Sequence, residues 1–278
     1  MKPTGRRGSH DDAVAVRDLP RAQHGAGLPV PGRPIGRRLG RRVELVAGGS
    51  FDQFEHGEAD LGVICGLPYV WLAARCPAPV EPLAAPVLAG ARYGGRPVYY
   101  SDVIVRQDSP ISCLEELGGC SWAYNEPASQ SGHTVTLYSL VRLGARPGFF
   151  ARVVEAGFHQ RAIRLVHSGA VDAAAIDSQV LAVELRDHPR LTDGLRVVGS
   201  FGPSTIPPVV AASRLPDQLK DEVRELLIGL GADRTARLVL DHGFIERFAV
   251  VDDRAYDDIR AMLAVIEAAG WISLTQTV

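Results

Sequence analysis

Lysine is nearly missing from this chain. Only Lys2 and Lys220 occur among 278 residues, so 28 of the 30 basic side chains are arginine. A GC-rich coding bias accounts for such a skew, and an arginine cluster alone is therefore no signal. An overall basic excess is missing too, since 32 acidic residues leave a net charge of −2. That balance excludes a whole-protein nucleic-acid or anionic-membrane binder, which needs surplus positive charge. Long apolar runs are absent: the most apolar stretch, Leu61 to Ala74, is broken by Gly66 and Pro68 and falls short of the roughly 20 residues that span a bilayer. No apolar core of about 7–15 residues follows Lys2, Arg6 and Arg7, so the start reads as lacking an export signal. The four cysteines, Cys65, Cys76, Cys113 and Cys120, include no C-x-x-C pair. A disulfide scaffold and a zinc or redox pair are thereby excluded, and free thiols are expected. There are no internal repeats and no heptads. Nucleophile-elbow, P-loop, dinucleotide and H-E-x-x-H signatures are all missing. Ser131, His159 and Asp177 stand in an order a hydrolytic triad could use, but no spacing rule links them.

What is present is the composition of a globular protein with one large domain or two lobes: 46% hydrophobic residues and a mean hydropathy of +0.03. The charge is unevenly spread. Residues 1–42 carry ten Lys/Arg against three Asp, and the remainder carries 20 against 29. Those 42 residues are rich in Arg, Gly and Pro without an apolar period, and read as a tail or poorly packed segment. From Val43 the pattern changes. Strands are expected at Val43–Val46, Leu61–Cys65, Val98–Val105, Ser121–Tyr124, in LRVVGSF, in GAVDAAAID and at Pro207–Ala212. A short helix is expected after Ser112, another over His159–His167, and one with apolar positions Val135, Leu137, Leu140, Val141 and Leu143, closed by Gly144. The C-terminal third reads as helical, with stripes at Leu219, Val223, Leu226, Leu227 and Leu230 and at Ile259, Met262, Leu263 and Ile266. Alternating strands and helices predict an α/β class with largely parallel sheets.

The most informative segment is Asn125 to Thr134, NEPASQSGHT. Pro127 ends a strand, and Ser129, Gln130, Ser131 and Gly132 enter a helix. A helix start offers unpaired N–H groups and partial positive charge, so it draws an anion without a basic side chain. Two flanking hydroxyls add donors that rotate toward ligand oxygens. A plain N-cap role for either serine is the simpler alternative.

Taken together, GEADLGVICGLPYV, YYSDVIVRQDSPISCLEELGG, NEPASQSG, GFHQRAIRLVHSGAVDAAAIDS and PPVVAASRLPDQL, in that order over Val43 to Leu230, resemble the phosphate/phosphonate-type substrate-binding proteins of ABC transporters. The resemblance implies an α/β, two-lobed, type II periplasmic-binding-protein fold with a ligand cleft between lobes. Residues 43–100 plus 204–278 would form lobe 1 and 101–203 lobe 2, with hinges near Tyr100–Asp102 and Pro203–Pro208. It implies a carrier rather than an enzyme, no cofactor, no metal and no nucleic acid. The expected partners are a small phosphorus oxyanion (phosphate, phosphite or a phosphonate) and, if the protein is exported, an ABC permease; a monomer is expected. Ligand-binding positions carried over are Tyr69, Tyr100, Ser129, Gln130, Ser131, Gly132, His159 and Asp177, with His133, His167 and Ser178 adjacent. Each also has a structural alternative: a core tyrosine, a helix-start histidine, a strand-end cap for Asp177. A carboxylate at Asp177 or Glu126 would suit a protonated oxygen or an ammonium group on the ligand. The family's leader and first strand are not legible in residues 1–42, which suggests a mis-assigned start or shifted frame, a cytosolic relative, or a segment with another role. Alternative functions are a cytosolic or membrane-partnered sensor and an enzyme on the same scaffold acting on a small anion.

Overall fold

The computed structural model describes residues 13–18, 42–47 and 51–275. In chain order it runs β1 (Ala13–Asp18), β2 (Arg42–Ala47), β3 (Leu61–Val63), α1 (Gly66–Ala73), β4 (Val80–Leu88), β5 (Val98–Arg106) and β6 (Ser121–Tyr124). A π-helical turn, Gln130–Thr134, then continues directly into α2 (Val135–Arg142). Next come β7 (Arg152–Glu155), α3 (His159–His167), β8 (Ala173–Asp177), α4 (Ser178–Asp187), α5 (Pro189–Gly194), β9 (Leu195–Thr205), β10 (Val209–Ala212), α6 (Asp217–Gly229), α7 (Arg234–His242), β11 (Ile245–Val250) and α8 (Asp257–Ala268).

Two sheets make two lobes. One has the order β11-β4-β10-β3-β1-β2 and the other β7-β6-β8-β5-β9. The expectation of largely parallel sheets is corrected: both are mixed. Strands β2, β1 and β3 pair in parallel, as do β7, β6 and β8, but β10, β4 and β11 pair antiparallel, and so do β5 and β9. The reason is the path of the chain, which leaves one sheet along β5 and returns along β9 in the opposite direction.

The tail reading of residues 1–42 is corrected at one place. Ala13–Asp18 is a strand, parallel to β2 on one side and β3 on the other, well inside the first sheet. The rest of residues 1–41 lies outside the described residues. Three further strands escape the sequence pattern, among them β7, whose four residues RVVE are too short to show a period. β4 carries Pro82 and Pro86, which cannot donate to a ladder, and its register against β10 slips between Val209 and Val210, where Pro82 faces Val210. β11 lies in the third of the chain read as helical; its buried Ile245 and Phe248 flank the exposed Glu246 and Arg247, and its register against β4 shifts between Ile245 and Arg247.

Each lobe has its own core. Leu61, Ile64, Leu83, Val210, Leu240 and Tyr256 belong to the first. In the second, Trp122 stacks on Phe150 with centroids 4.6 Å apart, among Val103, Val105 and Leu137. The crossings lie side by side: Val98 pairs with Thr205, and Ile206 N–H donates to the Pro97 carbonyl at 3.0 Å. Helix α8 is tied to both. Ile259 is buried in the first core, whereas Met262 and Ile266 are buried in the second. Its Asp258 accepts from Thr205 N–H at 2.7 Å, fixing the returning crossing to the helix start. Burial holds the Asp258 carboxyl above the usual carboxylate range.

Candidate functional site

Strand β6 ends at Tyr124, and Asn125 to Ser129 turn the chain into the helix start between the lobes. Ser129 has extended backbone, φ −85° and ψ 128°, and its Oγ accepts from Gly132 N–H at 3.0 Å. It is thus an N-cap in the ordinary sense. The first turn is wider than an α-turn: Thr134 N–H donates to the Ser129 carbonyl, and Val135 N–H to that of Gln130. Such π-turns occur preferentially at functional positions, because they re-aim side chains at the helix mouth.

Three hydroxyl and imidazole groups converge there. Ser129 Oγ and Ser131 Oγ are 3.3 Å apart, and Ser131 Oγ is 2.8 Å from His159 Nε2. All three residues are at least 96% buried. His159 is itself the first residue of α3, so the start of a second helix in the same lobe meets the first. The group contains no lysine or arginine. Gly132 is required by close approach, because a Cβ there would lie 2.0 Å from Asn125 Oδ1. The Asn125 carbonyl in turn accepts from Gly157 N–H at 2.7 Å, which leads the chain into α3. His133, one residue on, packs its ring 5.4 Å from that of Tyr124. Burial lowers its imidazole to about 4, so it is neutral at physiological pH.

Of the positions expected from sequence, Ser129, Ser131, Gly132 and His159 come together. Gln130 belongs to the same turn, but its side chain runs backward: Nε2 lies 3.4 Å from Ser204 Oγ and 3.3 Å from Met262 Sδ, at the crossing between lobes. Its backbone N–H donates to the thiol of Cys65 at 3.4 Å. Tyr69, on α1, is buried in the first core, packs its ring tilted against that of Tyr256 with centroids 4.5 Å apart, and donates its hydroxyl to Asp253 at 2.7 Å. Burial first and the Asp253 carboxylate second hold that phenol far above its ordinary range. Tyr100 lies under the Arg92 guanidinium, 4.5 Å from its ring centroid, and donates to the Arg92 carbonyl. Asp177 ends β8 and caps α4, with Oδ1 accepting from Gln179 N–H at 2.8 Å and Val180 N–H at 3.3 Å. Ser178 Oγ takes the Tyr100 N–H and the Tyr93 hydroxyl. His167 sits at the exposed far end of α3, against Gly194.

Two participants were not singled out in the sequence. Cys65 is the N-cap of α1, and its thiol reaches the site helix of the other lobe; its place directly before Gly-Leu-Pro was the available signal. The other is Arg92, bidentate at 2.8 and 3.0 Å to Asp102 of the expected hinge, which ties the connection before β5 to β5 itself.

The family model of the ABC transporter, phosphonate, periplasmic substrate-binding protein matches residues 33–256. Among solved structures, the chain is similar to the binding protein component of an ABC phosphonate transporter from Pseudomonas aeruginosa, with a TM-score of 0.79 and 19% identity over 93% of this chain and 88% of that one. It is also similar to PhnD1 from Prochlorococcus marinus, solved in complex with methylphosphonate: TM-score 0.75, 18% identity, 92% and 98% covered. The aliphatic sulphonate binding protein SsuA of Escherichia coli shares the fold more distantly, with a TM-score of 0.61 and 15% identity over 92% and 86%. At these identities the structures speak for the fold, whereas the family match spans four-fifths of the sequence; the chain belongs to the periplasmic phosphonate-binding proteins of ABC transporters.

Proposed function

We propose that this protein captures a small phosphorus oxyanion, of the phosphonate, phosphite or phosphate class, at the start of the Gln130–Arg142 helix and hands it to a membrane permease. The observation that carries this reading is the buried trio of Ser129, Ser131 and His159 at that helix start, joined at 3.3 and 2.8 Å. Hydroxyls and a ring nitrogen donate to phosphoryl oxygens, and the helix start supplies partial positive charge without full desolvation of a basic side chain. The methylphosphonate found with the Prochlorococcus marinus protein is the ligand class this chemistry suits. The proposed ligand-binding set is Ser129, Ser131, Gly132 and His159, with the Gln130 backbone N–H released to the ligand when Cys65 withdraws. Tyr69, Tyr100 and Asp177 then shape and hold the cleft through their contacts with Asp253, Arg92 and α4.

A carrier closes on its ligand and returns it unchanged. The pair of Ser131 and His159 is also the distance of a base beside a nucleophile. The reading as carrier therefore requires that an activated ester such as p-nitrophenyl acetate leave Ser131 unacylated. Membership of a periplasmic family supports action outside the cytoplasmic membrane, with delivery to an ABC permease. Thermal unfolding with phosphate, phosphite, methylphosphonate and 2-aminoethylphosphonate tests the assignment. At least one should raise the midpoint by several degrees at millimolar concentration. No shift with any of the four would overturn it.

A further inference from the structure

A cavity of about 460 Å³ opens on the second lobe away from the serine trio, where α2, β9 and α8 meet. Its size falls within the range of small-molecule sites, about 300–1,000 Å³. The walls are Leu114, Leu143, Phe201, Pro203 and Met262, with the ring of Tyr138. Arg142, on the last turn of α2, lines the same space, and its exposed side chain makes no hydrogen bond or ion pair among the described residues. Behind the wall, Asp102 accepts from the Ser200 hydroxyl at 2.6 Å and is itself paired bidentately with Arg92. A pocket of mixed lining, with the Arg142 guanidinium unpaired among the described residues and hydroxyls from Tyr138 and Ser139, is complementary to one ligand type: a monoanion on an apolar body.

We infer that this cavity is a second ligand site, for a small amphiphilic monoanion such as a carboxylate or sulfonate carrying an aromatic or short aliphatic group. The apolar part lies against Phe201, Pro203 and Met262, and the anionic head pairs with Arg142. The site is not isolated from the helix start. Met262 forms part of the wall, and its sulfur lies 3.3 Å from Gln130 Nε2, at the residue that opens the site helix. A ligand pressing on Met262 therefore acts on the position of Gln130, and occupancy of the cavity alters oxyanion affinity by the factor with which the oxyanion alters cavity affinity.

The test uses the full chain and 8-anilinonaphthalene-1-sulfonate, an aromatic sulfonate whose fluorescence rises in apolar surroundings, titrated with and without saturating methylphosphonate. Octanoate serves as competitor. The wild type should bind one equivalent saturably, octanoate should displace it, and methylphosphonate should change its affinity without abolishing the bound fraction at saturation. Arg142→Gln should weaken the probe about tenfold, the loss of one charge-assisted contact. Ser139→Trp should fill the cavity and remove saturable binding, with circular dichroism and thermal unfolding establishing that the variant is folded. Equal binding by wild type and Arg142→Gln would overturn the inference. So would complete displacement of the probe by methylphosphonate, which would place it in the cleft between lobes.

Discussion

Two helix starts face each other between the lobes, and they are built differently. On lobe 1, α1 begins behind Cys65, whose side chain makes no cap to its own helix, and continues through Leu67 and Pro68 to a tyrosine whose hydroxyl is bound to Asp253. On lobe 2, the helix begins with a serine cap, a second serine and a histidine from a neighbouring helix. Each start contains a glycine at a close approach, but the neighbours differ. A Cβ at Gly66 would meet Ile259 Cδ1 at 2.4 Å, whereas one at Gly132 would meet Asn125 Oδ1 at 2.0 Å. Lobe 1 uses its glycine to pack against α8, and lobe 2 uses its own to bring a carboxamide under the polar turn. The proposed function turns this contrast into a division of labour, with the donors on lobe 2 and, on lobe 1, a tyrosine held in its own core closing over them.

The glycines break this comparison most forcefully. Gly132→Val should abolish methylphosphonate binding in calorimetry, since both the Asn125 side chain and its backbone nitrogen at 3.3 Å stand in the way. Gly66→Ala should lower thermal stability, by about 1–3 kcal/mol for an overpacked contact, while the folded fraction keeps its affinity. Affinity lost equally in both would mean that the lobes share recognition. Next in size, Ser131→Ala or His159→Ala should weaken binding tenfold or more, about 1.4 kcal/mol, against less than threefold for Cys65→Ala.

A third prediction concerns pH. The folded state holds His133 neutral down to about 4, whereas the unfolded chain protonates it near its ordinary value of about 6.5. The unfolded state therefore binds more protons between those values, so stability is full above about pH 6.5 and is lost as pH falls toward about 4. Chemical denaturation should show His133→Phe losing less stability than wild type over that interval, by up to about 3 kcal/mol. The smallest effect is on lobe 1: Tyr69→Phe removes the hydrogen bond to Asp253 and should cost about 1 kcal/mol of stability, with affinity unchanged within about threefold.

What the sequence made legible follows from how local each signal is. SWAY, AAAID and the stripe from Val135 to Leu140 carry their own periodicity, and the structure has β6, β8 and α2 there. The serine-glycine helix start is equally local, because a cap is recognised within a few residues. β1 was hidden because AVAVRD is only six residues long and stands among Gly, Pro and Arg. β4 was hidden by prolines that its irregular register tolerates. The partners of Tyr69 and Gln130 were beyond reach for a different reason. Tyr69 meets Asp253 across 184 residues, and the contact of Gln130 with Met262 spans 132. No spacing rule reports a contact that depends on two lobes and a returning helix.

The account rests on neutral donors at one helix start, and one experiment addresses it most directly. Methylphosphonate is titrated calorimetrically at pH 7.5 into the wild type and into the folded Ser129→Ala/Ser131→Ala double variant. The account predicts one-to-one binding by the wild type and a loss of at least about 100-fold, roughly 2.7 kcal/mol, in the double variant. Unchanged affinity without the two hydroxyls would contradict it.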